Sequence, residues 1–222
     1  MDGLILAGGK SSRMGGSHKG DLIYQKETFL ERIIHEFQKE AEMIWISYGA
    51  EIRREYPGCQ AVQDQYLECG PLGGLQAGLN RCSSQLVMAA ACDMPFLEMG
   101  MYRYLREQLM EAERTHPELS YAGAVPMVDG RIHPLAAIYR KQAADCFETQ
   151  IQKGNYRLRD ALQCLHILYV DFSGQQAFRQ MLRNINTIQE YAVIAESTEE
   201  NAEAMERIEH DGKEKGNCNL RH

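Results

Sequence analysis

Long apolar runs, excess positive charge and paired cysteines are all missing from this 222-residue chain. No apolar stretch approaches the roughly 18 to 20 residues of a membrane-spanning helix. The sequence begins Met-Asp-Gly, with no basic segment leading into an apolar one, so a cytoplasmic protein without a membrane partner is expected. Lys and Arg number 24 against 31 Asp and Glu, and the net charge of -7 excludes wholesale nucleic-acid binding, which needs a basic surface to displace counterions. Seven cysteines, an odd number, contain no Cys-x-x-Cys pair. They read as reduced thiols rather than a disulfide framework or a zinc site.

What the chain does have is concentrated at its start. Leu4 to Lys19 reads as a short apolar strand running into a loop rich in glycine and cations. Glycines let the backbone approach phosphate oxygens and turn its N–H groups toward them, while Arg13 and Lys19 supply charge, so the segment suits a polyphosphate. Gly8 and Gly9 come directly off the strand, which puts the ligand at a carboxyl end, the usual binding edge of open α/β sheets. Two familiar motifs are excluded. A P-loop needs glycine five residues before its Gly-Lys-Ser, where this chain has Leu4, and no register of Gly8, Gly9, Gly15 and Gly16 yields Gly-x-Gly-x-x-Gly.

Thr28 and Glu31 form a capping box ahead of apolar residues at helical spacing, predicting a helix over Phe29 to Glu40, followed by a strand at Met43 to Ser47. That βαβ unit implies parallel strands. Leu86 to Cys92 reads as a strand buried on both faces, ending at Asp93. Gly70 to Leu75 opens a helix through Asn80, and Tyr102 to Arg114 has helical period. Tyr121 to Pro126 and Leu135 to Tyr139 read as strands, joined as a hairpin or lying as an antiparallel pair around Asp129-Gly130. Thr187 and Glu190 make a second capping box. The expected fold is α/β, a three-layer αβα sandwich around a Rossmann-like, mostly parallel sheet. One domain spans 1–195, and 196–222 is a charged tail, helical or disordered.

Leu6-Ala7-Gly8-Gly9-x-Ser11-x-Arg13-Met14-Gly15, followed by Lys19, resembles the signature loop of nucleotidyltransferases that activate phosphorylated substrates. With two glycines after the alanine it looks most like the molybdenum cofactor guanylyltransferase family, whose cytidylyl relatives more often carry Ala-Ala-Gly. Cys92-Asp93-Met94-Pro95 matches that family's Cys-Asp-x-Pro, and the likeness runs from Leu4 to about Tyr191. It implies a fold of the nucleotide-diphospho-sugar transferase type and transfer of GMP from Mg-GTP to molybdenum-molybdopterin. It also implies transient contacts with cofactor-assembly proteins and molybdoenzymes. A cytidylyltransferase, a sugar-phosphate nucleotidyltransferase and a non-catalytic nucleotide-binding regulator stay open as alternatives.

The resemblance assigns roles residue by residue. Leu6, Ala7, Gly8, Gly9, Lys19, Ser47, Asp64 and Asp93 line the nucleotide; Arg13, Lys19 and Asp93 carry catalysis; Asp93 holds Mg2+. A carboxylate at the end of a central strand suits magnesium, which takes one or two protein carboxylates plus phosphate oxygens. Lys19 and Asp93 are both expected on exposed strand ends. Ser47 departs from the asparagine usual in the family, which leaves base choice open, because a hydroxyl cannot supply an amide's paired donor and acceptor. His18 stands where aspartate is common. Asn184 and Asn186, just before a helix start, suit an anion or a pterin edge of the acceptor; helix capping explains them equally well. His133, in Gly130-Arg131-Ile132-His133-Pro134, resembles a family segment near the acceptor and also reads as a hydrogen-bonded structural residue.

Overall fold

Strand β1 (Asp2–Leu6) is buried along its whole length, and its side chains alternate between two cores. Leu4 and Leu6 enter one apolar cluster, Ile5 the other, as the period of two in a strand requires. Burying each such side chain contributes about 1.5–3 kcal/mol. The computed structural model describes residues 1–8 and 19–195. Gly9, Arg13, His18 and the proposed 196–222 tail lie outside the described residues.

A short 3-10 turn (Lys19–Asp21) leads into a small hairpin of β2 (Ile23–Tyr24) and β3 (Glu27–Thr28). Helix α1 (Phe29–Gln38) follows, with the expected capping box: the Thr28 side chain accepts from Glu31 N–H while the Glu31 carboxylate accepts from Thr28 N–H. Next come β4 (Ile44–Ser47), β5 (Cys59–Val62), α2 (Pro71–Arg81) and β6 (Leu86–Ala91). Helix α3 (Met99–Thr115) starts three residues before its sequence pattern becomes periodic. The remaining elements are β7 (Gly123–Val128), β8 (Arg131–Ile132), β9 (Ala136–Arg140), α4 (Ala143–Gln152), α5 (Leu158–Gln163), β10 (Ile167–Asp171) and α6 (Gln176–Met181). A last helix begins at 188 and runs to 195, where description ends.

The main sheet has the order β10-β7-β9-β6-β1-β4-β5, with β8 paired to β7. β1, β4, β5 and β6 are mutually parallel, and β7 and β10 are parallel to each other. β9 runs against both β6 and β7, so the sheet is mostly parallel with one reversed inner strand. Helices α1 and α3 cover one face, with Ile33, Phe37, Tyr102 and Leu105 against Ile5, Ile46, Met88 and Ala90. Helices α2, α4 and α5 cover the other, with Leu72, Leu75, Phe147 and Leu162 against Leu4, Val87, Ala89 and Tyr139. The three expected layers are present. The tight hairpin is formed by β7 and β8 around Asp129 and Gly130, both at positive φ as a two-residue hairpin turn needs, and β7 and β9 meet as sheet neighbours. No helix among the described residues is long and apolar enough to cross a membrane.

Candidate active site

The chain leaves β1 toward β4 and leaves β6 toward β7 on the other side of the sheet, so the carboxyl ends of the adjacent strands β1 and β6 flank a topological switch point. Open α/β sheets bind ligands in the crevice at such a point. Ala7 and Gly8 extend from β1 at this edge, and Cys92 and Asp93 extend from β6. Cys92 N–H donates to Leu6 C=O at 3.0 Å, tying the two ends together.

Lys19 and Asp93 meet here. Lys19 Nζ lies 2.9 Å from Asp93 Oδ2, with side-chain exposures of 25% and 14%. They are mostly buried rather than open strand ends as their sequence positions suggest, because the chain beyond α6 folds over them. Ile185 N–H donates to the Asp93 backbone carbonyl at 2.8 Å. Asn184 Nδ2 donates to Asp93 Oδ1 at 2.8 Å, and Lys19 Nζ donates to Asn186 Oδ1 at 2.6 Å. The second capping box fixes this segment: Glu190 Oε2 accepts from Asn186 N–H at 2.7 Å and Thr187 N–H at 3.0 Å, and Glu190 N–H donates to Thr187 Oγ1 at 3.1 Å. Asn184 and Asn186 therefore hold the charged pair in place.

A second group lies toward β4 and β5. Ser47 Oγ donates to Asp64 Oδ1 at 2.7 Å. Burial pushes the Asp64 carboxyl above its ordinary value, and the serine bond only partly offsets this. The start of α2 packs flush against the pair. A Cβ on Gly74 would fall 2.8 Å from both Leu6 Cδ2 and Ser47 Oγ, and one on Gly73 would fall 2.8 Å from the Tyr66 carbonyl and 3.4 Å from Asp64 Oδ2. At Gly8 a Cβ would meet the Tyr48 and Gly49 backbone at 3.0 Å, so the β1 loop can run only where no side chain intervenes. Leu6, Ala7, Gly8, Ser47 and Asp64 thus share one end of the sheet with Lys19 and Asp93.

His133 lies just ahead of β9. Its N–H donates to Pro126 C=O at 2.8 Å, and two residues later Leu135 C=O accepts from Ala91 N–H at 2.9 Å. The carboxyl edge of β6 therefore runs past this segment on the side away from β1. Burial, with Arg131 nearby, pushes the His133 imidazole below its usual value, so it is neutral at pH 7. Cys92 is buried and its thiol is pushed up to about 12 by desolvation, which makes it inert as a nucleophile.

No group of three or more His, Cys, Asp or Glu positioned to hold a metal occurs among the described residues. The donor set still fits magnesium arriving with a nucleotide: one carboxylate, Asp93, whose two oxygens each accept one bond and keep lone pairs free.

The MobA-like NTP transferase domain matches residues 3–168. The chain belongs to that family. It is a nucleotidyltransferase, and the matched stretch holds Gly8, Lys19, Ser47, Asp64, Asp93 and His133 while stopping short of Asn184 and Asn186. The probable molybdenum cofactor guanylyltransferase of Clostridium perfringens strain 13 is 31% identical over 200 residues, covering 88% of this chain and 96% of the relative. Among solved structures, molybdopterin-guanine dinucleotide biosynthesis protein A from Archaeoglobus fulgidus superposes with a TM-score of 0.72 at 21% identity, covering 90% of this chain and 100% of that one. The 2-C-methyl-D-erythritol 4-phosphate cytidylyltransferase of Thermus thermophilus gives 0.61 at 17% identity, covering 89% and 98%. These two likenesses establish the fold, that of nucleotide-diphospho-sugar transferases.

Tyr66 has no signal in the sequence pattern. Its contacts cross from the β5–α2 loop to α4, a pairing that no local spacing announces.

Proposed function

We propose that this protein transfers GMP from Mg-GTP to the terminal phosphate of molybdenum-bound molybdopterin. An acceptor phosphate oxygen forms a bond to the α-phosphorus, the bond from that phosphorus to the β-phosphate's bridging oxygen breaks, and pyrophosphate leaves with the electron pair. No protein nucleophile is required. The observation that carries the reading is the Lys19–Asp93 pair at the β1–β6 switch point, 2.9 Å apart. Here cation and carboxylate satisfy each other. With a triphosphate present, Lys19 turns its charge toward phosphate oxygens and Asp93 becomes available to the magnesium that accompanies it. That ion neutralises charge on the phosphates. By the family resemblance, Arg13 and Gly9 complete the phosphate grip.

The nucleoside faces Leu6, Ala7, Ser47 and Asp64, where a partly buried carboxylate accepts from its N–H or O–H donors. The acceptor lies on the β6 side, toward His133 and the 184–186 segment. Asn184 and Asn186 then serve the reaction by orienting Asp93 and Lys19, and a neutral His133 offers a hydrogen bond rather than a charge. We place the reaction in the cytoplasm, with the product passed on through transient contacts with cofactor-assembly proteins and molybdoenzymes. Ser47 favours one competing reading, a cytidylyltransferase on the same acceptor, because its hydroxyl is committed to Asp64 and reads no paired donor and acceptor on a base. Incubation with Mg2+, GTP and molybdenum-loaded molybdopterin tests the proposal: a guanine dinucleotide of the pterin, identified by mass, should form in equal amount with pyrophosphate. Pyrophosphate without that product would refute the acceptor assignment.

A further inference from the structure

The loop between β5 and α2 carries Asp64 near its start and leads into the flush-packed Gly73 in the first turn of α2, and its backbone is under strain. Glu68 has φ of 60° and Gly70 of 59°. A non-glycine residue in the left-handed region costs roughly 1–2 kcal/mol, so something outside the loop must hold it. That hold is visible at Tyr66. Its hydroxyl donates to Oε1 of the half-buried Glu148 in α4 at 2.6 Å, across 82 residues of chain. Two amides converge on the same carboxylate: Gln76 Nε2 from α2 and Gln152 Nε2 from the next turn of α4, each at 3.4 Å. Gln76 is fully buried, and its Oε1 has no partner among the described residues, so its bond to Glu148 compensates only part of its burial.

Tyr66 touches the site through its backbone rather than its ring. Its carbonyl occupies the space a Gly73 side chain would need, and Asp64 Oδ2 borders the same space. A shift of Tyr66 therefore moves the wall against which α2 and the Ser47–Asp64 pair are set. We propose that Glu148, more than a third of the chain away from Asp64, is a positioning residue for nucleotide recognition, acting through Tyr66 to latch the Asp64-bearing loop in its binding shape. The inference rests on the nucleoside-facing role of Ser47 and Asp64 proposed above.

The test is GTP affinity with Mg2+ present, by isothermal titration calorimetry, for the full chain and for Tyr66→Phe, Glu148→Ala, Glu148→Gln and the Tyr66→Phe/Glu148→Ala double variant. A hydrogen bond to a charged group sets the scale, so each of the first two should bind GTP roughly 10-fold more weakly. The double variant should be no weaker than the worse single one. Glu148→Gln, which keeps an acceptor for the phenol, should recover most of the loss. In turnover assays the effect should fall on KM for GTP rather than on kcat, a split that simple destabilisation does not produce. Tyr66→Phe deletes one oxygen and keeps the ring's packing, so it reports even if Glu148→Ala melts too low to assay. Tight GTP binding by the wild type with equally tight binding by the variants overturns the latch alone. No GTP binding by the wild type overturns the nucleoside assignment and the latch together.

Discussion

Lys19 Nζ and Asp93 Oδ2 are 2.9 Å apart at the junction of β1 and β6, and each is also held by an asparagine from a segment more than ninety residues beyond Asp93. The pair joins three separate stretches of sequence at one point. It explains how a cation and a strand-end carboxylate are pre-positioned: their alternatives, bulk water and disorder, have been replaced by fixed donors and acceptors.

Asp93→Asn is the cleanest probe of this arrangement. It keeps an oxygen for one of Asn184 and Lys19 but turns an NH2 toward the other donor, so the melting temperature should fall by a few degrees, while turnover falls by roughly 10²–10³-fold, the range for loss of one electrostatic stabiliser. Asp93→Ala should lose the same activity and also melt lower, because it leaves both Lys19 and Asn184 without their partner. Steady-state kinetics and thermal melts on the same preparations check both. Near-wild-type turnover by Asp93→Asn at saturating Mg2+ would remove Asp93 from the reaction.

Asp64→Asn should separate stability from function. Burial raises the Asp64 pKa above the model-compound value of 3.8, so between the unfolded and folded pKa values the native state binds more protons than the unfolded one. Stability then falls as pH rises through that window, and the cost of the buried charge is complete above it. Asparagine carries no charge and still accepts from Ser47. The variant should therefore melt higher than wild type at pH 7, with the advantage shrinking at pH values below 3.8, while its KM for GTP rises. Melts across pH check the sign.

Two helix glycines should respond in opposite directions to alanine. In α2 a Cβ on Gly78 would stand 2.2 Å from Leu4 Cδ1, and Leu4 is fully buried. Gly78→Ala should cost about 1–3 kcal/mol by overpacking. Gly100, in the first turn of α3, has nothing within 4 Å of the corresponding position. Gly100→Ala should gain about 0.4–1 kcal/mol. Denaturant unfolding of both reads the contrast directly.

Legibility in the sequence followed how local each signal is. The Thr28–Glu31 and Thr187–Glu190 boxes, the all-apolar β6 and the β1 loop are short-range patterns, and all but the loop's undescribed centre stand as their residues suggest. β10 was not read as a strand because Leu168 and Tyr169 face partly outward at a sheet edge, where alternation is weak. α5 and α6 are only 6 residues long each, too short for periodicity to stand out, and α4, as long as α1, has no side-chain cap to mark its start. At the site, residue types pointed to Lys19 and Asp93, and the family resemblance pointed to Asp64. That Asn184 and Asn186 turn inward onto the ion pair is a matter of tertiary contact across most of the chain, and so is the bond between Tyr66 and Glu148.

The most direct test of guanylyl transfer is pyrophosphate release by the purified protein with Mg2+ and molybdenum-loaded molybdopterin, run side by side with GTP, CTP, ATP and UTP. Release with GTP and only background with the other three is the predicted result, and it would show that Ser47 and Asp64 suffice to choose guanine. Preference for CTP would contradict it and assign the chain to cytidylyl transfer.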